Sequence, residues 1–175
     1  MKISMLIMVI ATVVYATLNV TASANTPQQR AYIPNQEKVG EARYKVLFWK
    51  VFDATLYAPD GTYNRDEPFV LALSYLRKIR GEQIVERSIS EIAQQGKAST
   101  DELAQWRDQL LDIIPDVDKS STISGVRTAQ GTTEFFLNGS PIGTVSDVRF
   151  TPLFFDIWLG EGSANAKFRK DLLEG

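Results

Sequence analysis

Large apolar residues dominate the stretch from Arg43 to Tyr57, which carries the strongest strand signal in the chain. Side chains alternate between the two faces of a strand, and here both faces receive apolar residues. Such a strand needs cover on both faces, from helices, a second sheet or an apolar ligand. The pattern therefore predicts a long buried strand that ends at the Pro-Asp-Gly turn of residues 59–61.

A second strongly apolar segment, Pro68–Ile79, alternates in the same way and is predicted to pair antiparallel with the first. A short strand is predicted ahead of the long one, where Gly40 allows a tight turn or bulge. Asn138-Gly139 is a hairpin signal between two later strands. The predicted strands span residues 37–42, 43–57, 68–79, 122–128, 132–137 and 141–145.

Between these groups of strands the apolar period changes to that of a helix. One helix is predicted over Glu82–Gln95 and ends at Gly96. The sequence from Ser99 to Glu102 is a capping box that opens a second helix, and Pro115 ends it. Two more helices are predicted over residues 148–159 and 163–173. This order predicts an α+β domain, an antiparallel sheet with helices packed mainly on one side.

The first 24 residues have the pattern of a secretory signal peptide. Lys2 provides a positive start, an apolar run follows from Ile3 to Leu18, and Ala22-Ser23-Ala24 provides small residues for cleavage. The run approaches the length of a membrane span, so an uncleaved anchor is the alternative. We predict a signal peptide at 1–24, a leader at 25–36, a domain at 37–175 and a periplasmic or secreted location.

The composition excludes several kinds of functional site. The formal charge is −2 and becomes −3 when the segment with Lys2 is removed, and no polybasic block of the kind used on nucleic-acid surfaces is present. The chain has no cysteine and no histidine, which excludes disulfides, thiolate or imidazole metal ligands and a Ser-His-Asp triad. No metal, cofactor or nucleic-acid partner is predicted. No membrane association is expected after signal cleavage, and the oligomeric state is left open.

Three segments form a recognisable series: GEARYKVLFWKVFDATLYAPDG, RGEQIVERSISEIAQQG and FFLNGSPIGTVSDVRFTPLFFDIWLGEGSANAKFRKDLL. This series resembles the bacterial branch of the chalcone isomerase-like family, over residues 39–173. Its most specific parts are Gly40–Arg43 with the following F-x-K-V-x-x-A-x-L-Y pattern, and the late I-W-L-G motif. The resemblance implies an open-faced β-sandwich of the chalcone isomerase type, in which a large antiparallel sheet carries a layer of helices with a ligand cleft between.

That family includes enzymes that cyclise chalcones, fatty-acid-binding relatives and members without catalysis. In the resemblance, the arginine that holds an anionic oxygen or a fatty-acid carboxylate matches Arg43. The enzyme's catalytic tyrosine falls on Ile84, its asparagine on Glu91, and its threonine near Phe52 or Asp53. An isoleucine in place of a phenol removes a hydrogen-bond donor that the cyclisation needs. The resemblance therefore implies that chalcone isomerase activity is not retained.

Arg43 has two interpretations from sequence, because a guanidinium beside so apolar a strand is costly unless it is paired or faces water. In the first, it points into the cleft and binds a carboxylate bidentately. In the second, it pairs with Glu41, Asp53 or Glu91 and stabilises the fold. A glutamate beside it in the cleft would partly neutralise the anion site, whereas a solvent-facing Glu91 would have no role in binding.

The other candidates are aromatic or apolar side chains that line a cleft or belong to the core. The first hypothesis is an exported, non-catalytic protein that binds a small apolar molecule, such as a fatty acid or a similar acid. The alternatives are an intramolecular lyase or isomerase of chalcone isomerase type with an altered active site, and a module that binds another envelope protein. The predicted ligand-binding residues are Arg43, Trp49, Phe52, Tyr57, Tyr75, Ile84 and Glu91.

Overall fold

A computed structural model describes residues 35–175, which form one six-stranded sheet and four helices. The predicted signal peptide at 1–24 and all but the end of the predicted leader lie outside the described residues. Within 35–175, no helix combines the length and apolarity that crossing a membrane requires. The strands are β1 (Gln36–Val46), β2 (Trp49–Pro59), β3 (Phe69–Tyr75), β4 (Thr122–Arg127), β5 (Thr133–Leu137) and β6 (Ser140–Val145). The helices are α1 (Gly81–Gln94), α2 (Thr100–Ile113), α3 (Phe150–Leu159) and α4 (Ala166–Glu174).

The six strands are antiparallel and lie in the sheet in chain order, from β1 at one edge to β6 at the other. The main core lies between one face of the sheet and the helices, where residues such as Phe52 and Leu71 meet Trp106 and Phe155. A smaller cluster, with Phe136 at its centre, lies on the opposite face. The predicted α+β class and antiparallel sheet are confirmed.

The predicted strand over residues 43–57 is wrong in one respect, because it is two strands. β1 and β2 form a hairpin whose two-residue turn is Leu47-Phe48, with Val46 opposite Trp49. Leu47 has a φ of +53°, a left-handed conformation that is unfavourable for a bulky residue and usual for Gly or Asn. The turn therefore carries none of the residue types by which turns are recognised in sequence.

The predicted Asn138-Gly139 turn and the capping box of α2 are confirmed, whereas α3 and α4 begin at Phe150 and Ala166, two and three residues later than predicted. Asn138 and Gly139 have φ values of +48° and +84°, as a two-residue hairpin of the type I′ kind requires. At the start of α2, the Ser99 hydroxyl accepts the Glu102 N–H at 3.2 Å, and the Glu102 carboxylate accepts the Ser99 N–H at 2.8 Å. Pro152 lies in the first turn of α3, where a missing N–H is tolerated.

Helix α4 packs across β1, so the end of the described chain covers its beginning. The two elements approach so closely that a Cβ on Gly40 would lie 2.6 Å from the carbonyl oxygens of Asp171 and Leu172. Only glycine fits this backbone-to-backbone contact. Because α4 also brings Phe168 onto Tyr44 and Phe52, it forms one wall of the space described next.

Candidate functional site

A cavity of about 500 Å³ lies between the sheet and the helices, and most of the side chains that line it are apolar. Its volume is within the range of pockets that hold small molecules. Strands β1, β2 and β3, helix α1 and the segment leading into α4 form its main walls. The apolar lining includes Val46, Val51, Phe52, Leu73, Ile79, Ile84, Val85, Leu110, Ile114, Ile123, Phe135, Phe154, Ile157, Trp158 and Phe168.

Aromatic rings form the wall on the sheet side of the cavity. Tyr44 stacks on Phe52, with ring centroids 4.9 Å apart and planes 8° from parallel. Phe52 also makes an edge contact with Tyr75 at 5.9 Å, and Phe168 of α4 meets both Tyr44 and Phe52 edge-on. These contacts fix the rings against one another, so the wall exists before any ligand arrives.

Two tyrosines, Tyr44 and Tyr75, belong to this aromatic wall, and Tyr75 is the more deeply buried. Burial raises the pKa of Tyr75 well above its ordinary value, so the phenol stays protonated. It is therefore a hydrogen-bond donor on the wall of a space that a ligand can fill.

Helix α1 provides the opposite wall and its charged edge. Ile84 and Ser88 lie one turn apart, and the Ser88 hydroxyl donates to the Ile84 carbonyl at 2.9 Å. Arg87 and Glu91, also one turn apart, form an ion pair, in which the arginine side chain is 66% exposed and the glutamate side chain 16%. The cavity therefore has a largely apolar lining, and its charged lining residues are the Arg87–Glu91 pair and Lys45 of β1.

Arg43 lies outside the cavity, on the face of the sheet away from the helices. Its guanidinium binds Asp53 bidentately, with Nε–Oδ1 at 2.6 Å and Nη2–Oδ2 at 2.8 Å. The hydrogen bonds from Asp53 raise the pKa of Arg43 above its ordinary value. The interpretation in which Arg43 points into the cleft is thus corrected. The cause is the hairpin turn, which sets Arg43 directly opposite Asp53 across the strands.

Two other predicted ligand contacts also lie outside the cavity. Trp49 is exposed beside the hairpin turn, with the Arg77 guanidinium 5.0 Å from its ring centroid. Tyr57 packs against the small cluster on the opposite face of the sheet. The structure brings together the remaining four, Phe52, Tyr75, Ile84 and Glu91, as lining residues. Their contact with a ligand stays a prediction.

A second, more polar cleft of about 670 Å³ shares Glu91 and Ser163 with the cavity. Both of its arginines are already engaged. Arg65 binds Asp156 at 2.8 Å, and the Arg169 guanidinium donates to the Leu159 carbonyl at 2.9 Å. The apolar cavity is the better candidate site, because most of its lining side chains are apolar, as in pockets that hold small molecules.

Comparison with known proteins identifies a family and a solved structure that this architecture matches. The sequence profile of the chalcone isomerase-like family matches residues 39–174. The chain belongs to the chalcone isomerase-like family. No curated protein sequence matches it significantly. Among solved structures, a fatty-acid binding protein from Arabidopsis thaliana superposes with a TM-score of 0.63 at 16% identity, over 81% of this chain and 88% of the plant chain. At that identity the similarity shows the shared fold.

Within this chalcone isomerase-like domain, the residues implied by the family resemblance do not form a catalytic set in the cavity. Ile84 lines the cavity with an apolar side chain at the position matched to the catalytic tyrosine. The guanidinium of Arg43 is on the other face of the sheet, engaged by Asp53. The arrangement can hold an apolar chain inside and a polar head at the edge.

Sequence reasoning missed Arg87 as a cavity residue. Arg87 lies three or four residues from Ile84 and Glu91 along α1, so the helical period puts these residues and Ser88 on one stripe. An Arg and a Glu four residues apart on a stripe that otherwise faces inward were the available signal. The family resemblance indicates Arg43 instead as the arginine of the site.

Proposed function

We propose that this protein is an exported, non-catalytic carrier that binds a small amphipathic acid, such as a fatty acid, in the cavity. The observation that carries the proposal is the apolar cavity of about 500 Å³ with one arginine among its lining residues. Export rests on the predicted signal peptide at residues 1–24. The fatty-acid binding protein of the same fold from Arabidopsis thaliana supports the ligand class.

The charge distribution favours a ligand whose apolar chain lies inside and whose carboxylate lies at the edge. A carboxylate buried against the apolar lining would lose its hydration, and burying an unpaired charge is costly. At the edge, Arg87 provides a guanidinium that binds carboxylates bidentately, and water remains available to the ligand head. Glu91 competes for that guanidinium, so bound acid displaces it from Arg87.

The test is native mass spectrometry and fatty-acid titration of the protein recovered from its host, with two matched variants. Arg87→Ala and Arg43→Ala make the same chemical change on opposite sides of the sheet. We expect Arg87→Ala to weaken binding about fivefold to tenfold, as for loss of a partly exposed charged hydrogen bond. Arg43→Ala should bind like the wild type. Glu91→Gln should tighten acid binding, because it removes the competing carboxylate.

A cavity-filling variant, Ile84→Trp, keeps the test independent of the head group. It should abolish binding of any ligand that occupies the cavity while leaving the protein folded by circular dichroism. Wild-type binding that survives Ile84→Trp would place the ligand elsewhere and contradict the proposal. So would a wild type that carries no ligand and ignores both fatty acids and their neutral esters.

A further inference from the structure

The tip of the β1–β2 hairpin, Val46–Trp49, exposes four consecutive large apolar residues. The side chain of Phe48 is 97% exposed and that of Leu47 86%, and both neighbours are at least half exposed. Among residues 35–175, the other exposed large apolar residue is the isolated Val148. A contiguous exposed patch of this kind marks an interaction site, whereas scattered single residues are normal.

The fold does not need these side chains. Leu47 has the left-handed backbone conformation that glycine or asparagine adopts at lower cost, and Phe48 extends away from the domain. A polar Asn-Gly pair forms the equivalent turn between β5 and β6. Apolar residues therefore occupy the tip although the backbone conformation there favours glycine or asparagine. This indicates that their side chains have a role outside the fold.

The charges around the tip are all positive. Lys45 and Lys50 lie directly opposite each other across the hairpin, and Arg77 stacks over Trp49. None of the three forms an ion pair with any of residues 35–175, and residues 44–52 contain no acidic residue. Like charges directly opposite each other destabilise a strand pair. An external surface of negative charge would relieve that repulsion.

We propose that the tip of the β1–β2 hairpin inserts into the headgroup region of an anionic phospholipid bilayer. Leu47, Phe48 and Trp49 would enter the boundary between headgroups and acyl chains, where aromatic and aliphatic side chains are favoured. Lys45, Lys50 and Arg77 would lie at the lipid phosphates. This is surface docking without a membrane span. It departs from the sequence-based expectation that the protein has no membrane association after signal cleavage.

Docking in this way brings the cavity to the lipid. Val46 belongs to the exposed tip and also lines the cavity, and Val51 continues the same lining. The exposed tip and the lining of the cavity therefore adjoin at Val46. If the proposed acid ligand is bound there, the tip places the cavity where such amphiphiles are concentrated. The docking itself does not depend on the ligand, so vesicle binding and fatty-acid binding are tested separately.

The experiment is flotation with vesicles of phosphatidylcholine containing 0 or 30 mol% phosphatidylglycerol, using protein recovered from its host. All variants share one N-terminus, confirmed by intact mass, so differences between them report the hairpin. Phe48→Ser should reduce partitioning at least tenfold, as expected for one phenylalanine withdrawn from lipid. Lys45→Gln with Lys50→Gln should reduce it about tenfold on anionic vesicles alone. The matched control is Val148→Ser, which should bind like the wild type.

Tryptophan fluorescence adds a local readout. Of the three tryptophans, Trp106 is fully buried and Trp158 lines the cavity, so the part of a vesicle-induced blue shift that disappears in Trp49→Phe assigns insertion to the tip. Wild-type protein that ignores anionic vesicles, or a Phe48→Ser variant that binds as well as the wild type, overturns the proposal. It is also overturned if the tip variants change only the sedimentation mass, because the tip would then be an interface between copies of the chain.

Discussion

Phe48 and Phe52 belong to the same hairpin and lie only four residues apart, yet the structure treats them in opposite ways. Phe52 is 8% exposed and contacts Tyr44, Tyr75 and Phe168 through its ring. Phe48 is 97% exposed, and its ring contacts no other aromatic ring among residues 35–175. The same side chain stabilises the fold at one position and is available to a partner at the other.

The difference shows that apolar character alone does not locate the core. The chain reverses at Leu47-Phe48, and this turn projects beyond the part of the sheet that the helices cover. The apolar residues of the turn are therefore exposed although they continue the apolar run of the strands. The body of the hairpin is packed on the side that faces the helices, and its tip is packed on neither side. We expect substitutions in the body to change stability and substitutions at the tip to change only binding.

The largest expected effect contrasts the two phenylalanines directly. Phe52→Ala removes a buried ring from four-way aromatic packing and should lower the free energy of unfolding by about 3–5 kcal/mol. Phe48→Ala should change it by less than about 0.5 kcal/mol, as for exposed residues generally. Urea unfolding followed by circular dichroism measures both. Equal losses would mean that the tip is packed in solution and would remove the basis of the comparison.

A smaller effect is expected at the base of the hairpin, where β1 meets α4. In Gly40→Ala the new methyl group would meet two carbonyl oxygens at 2.6 Å, and backbone atoms cannot move aside as a side chain can. We expect a loss of about 1–3 kcal/mol. Gly162→Ala is the control, because nothing lies within 4 Å of its added Cβ. Equal unfolding midpoints for the two variants would contradict the close packing of α4 on β1.

The smallest effect is expected at the turn itself, with the opposite sign. Leu47→Asn replaces a residue that is disfavoured at a φ of +53° by one that tolerates it. The free energy of unfolding should rise by about 0.5–1 kcal/mol. The same variant should bind anionic vesicles more weakly than the wild type. A variant that is less stable than the wild type would show that Leu47 packs within the domain.

The sequence predicted most of the architecture because its elements have strong local signals. The capping box at Ser99 and the Asn138-Gly139 turn are chemical signals that act within a few residues, and the structure has both where they were predicted. The β1–β2 turn was not predicted, because Leu47 and Phe48 are residue types that are typical of the interior of a strand. A signal was present nonetheless. Arg43 and Asp53 have opposite charges at positions that a tight turn brings together.

The candidate site was less predictable because it depends on which face each side chain occupies. Arg43 was assigned to the cleft by the family resemblance, but it alternates with Ala42 and Tyr44, whose side chains face the helices, and so lies on the opposite face of the sheet. Residues on elements that were predicted correctly, such as Tyr75, Ile84 and Glu91, do line the cavity. The hydrogen-bonding state of the Tyr75 hydroxyl could not be read from sequence at all, since it depends on neighbours distant in the chain.

The packing of α4 on β1 also has a consequence for the order in which the molecule is made. Phe168 completes a cavity wall that begins with Tyr44, more than 120 residues earlier. A nascent chain that emerges N-terminus first therefore exposes the aromatic side of its first hairpin until its last helix has emerged. Contacts of such long sequence separation form late and slowly. A chain shortened before α4 should be prone to aggregation and to capture by chaperones, because the aromatic side of the hairpin would stay uncovered.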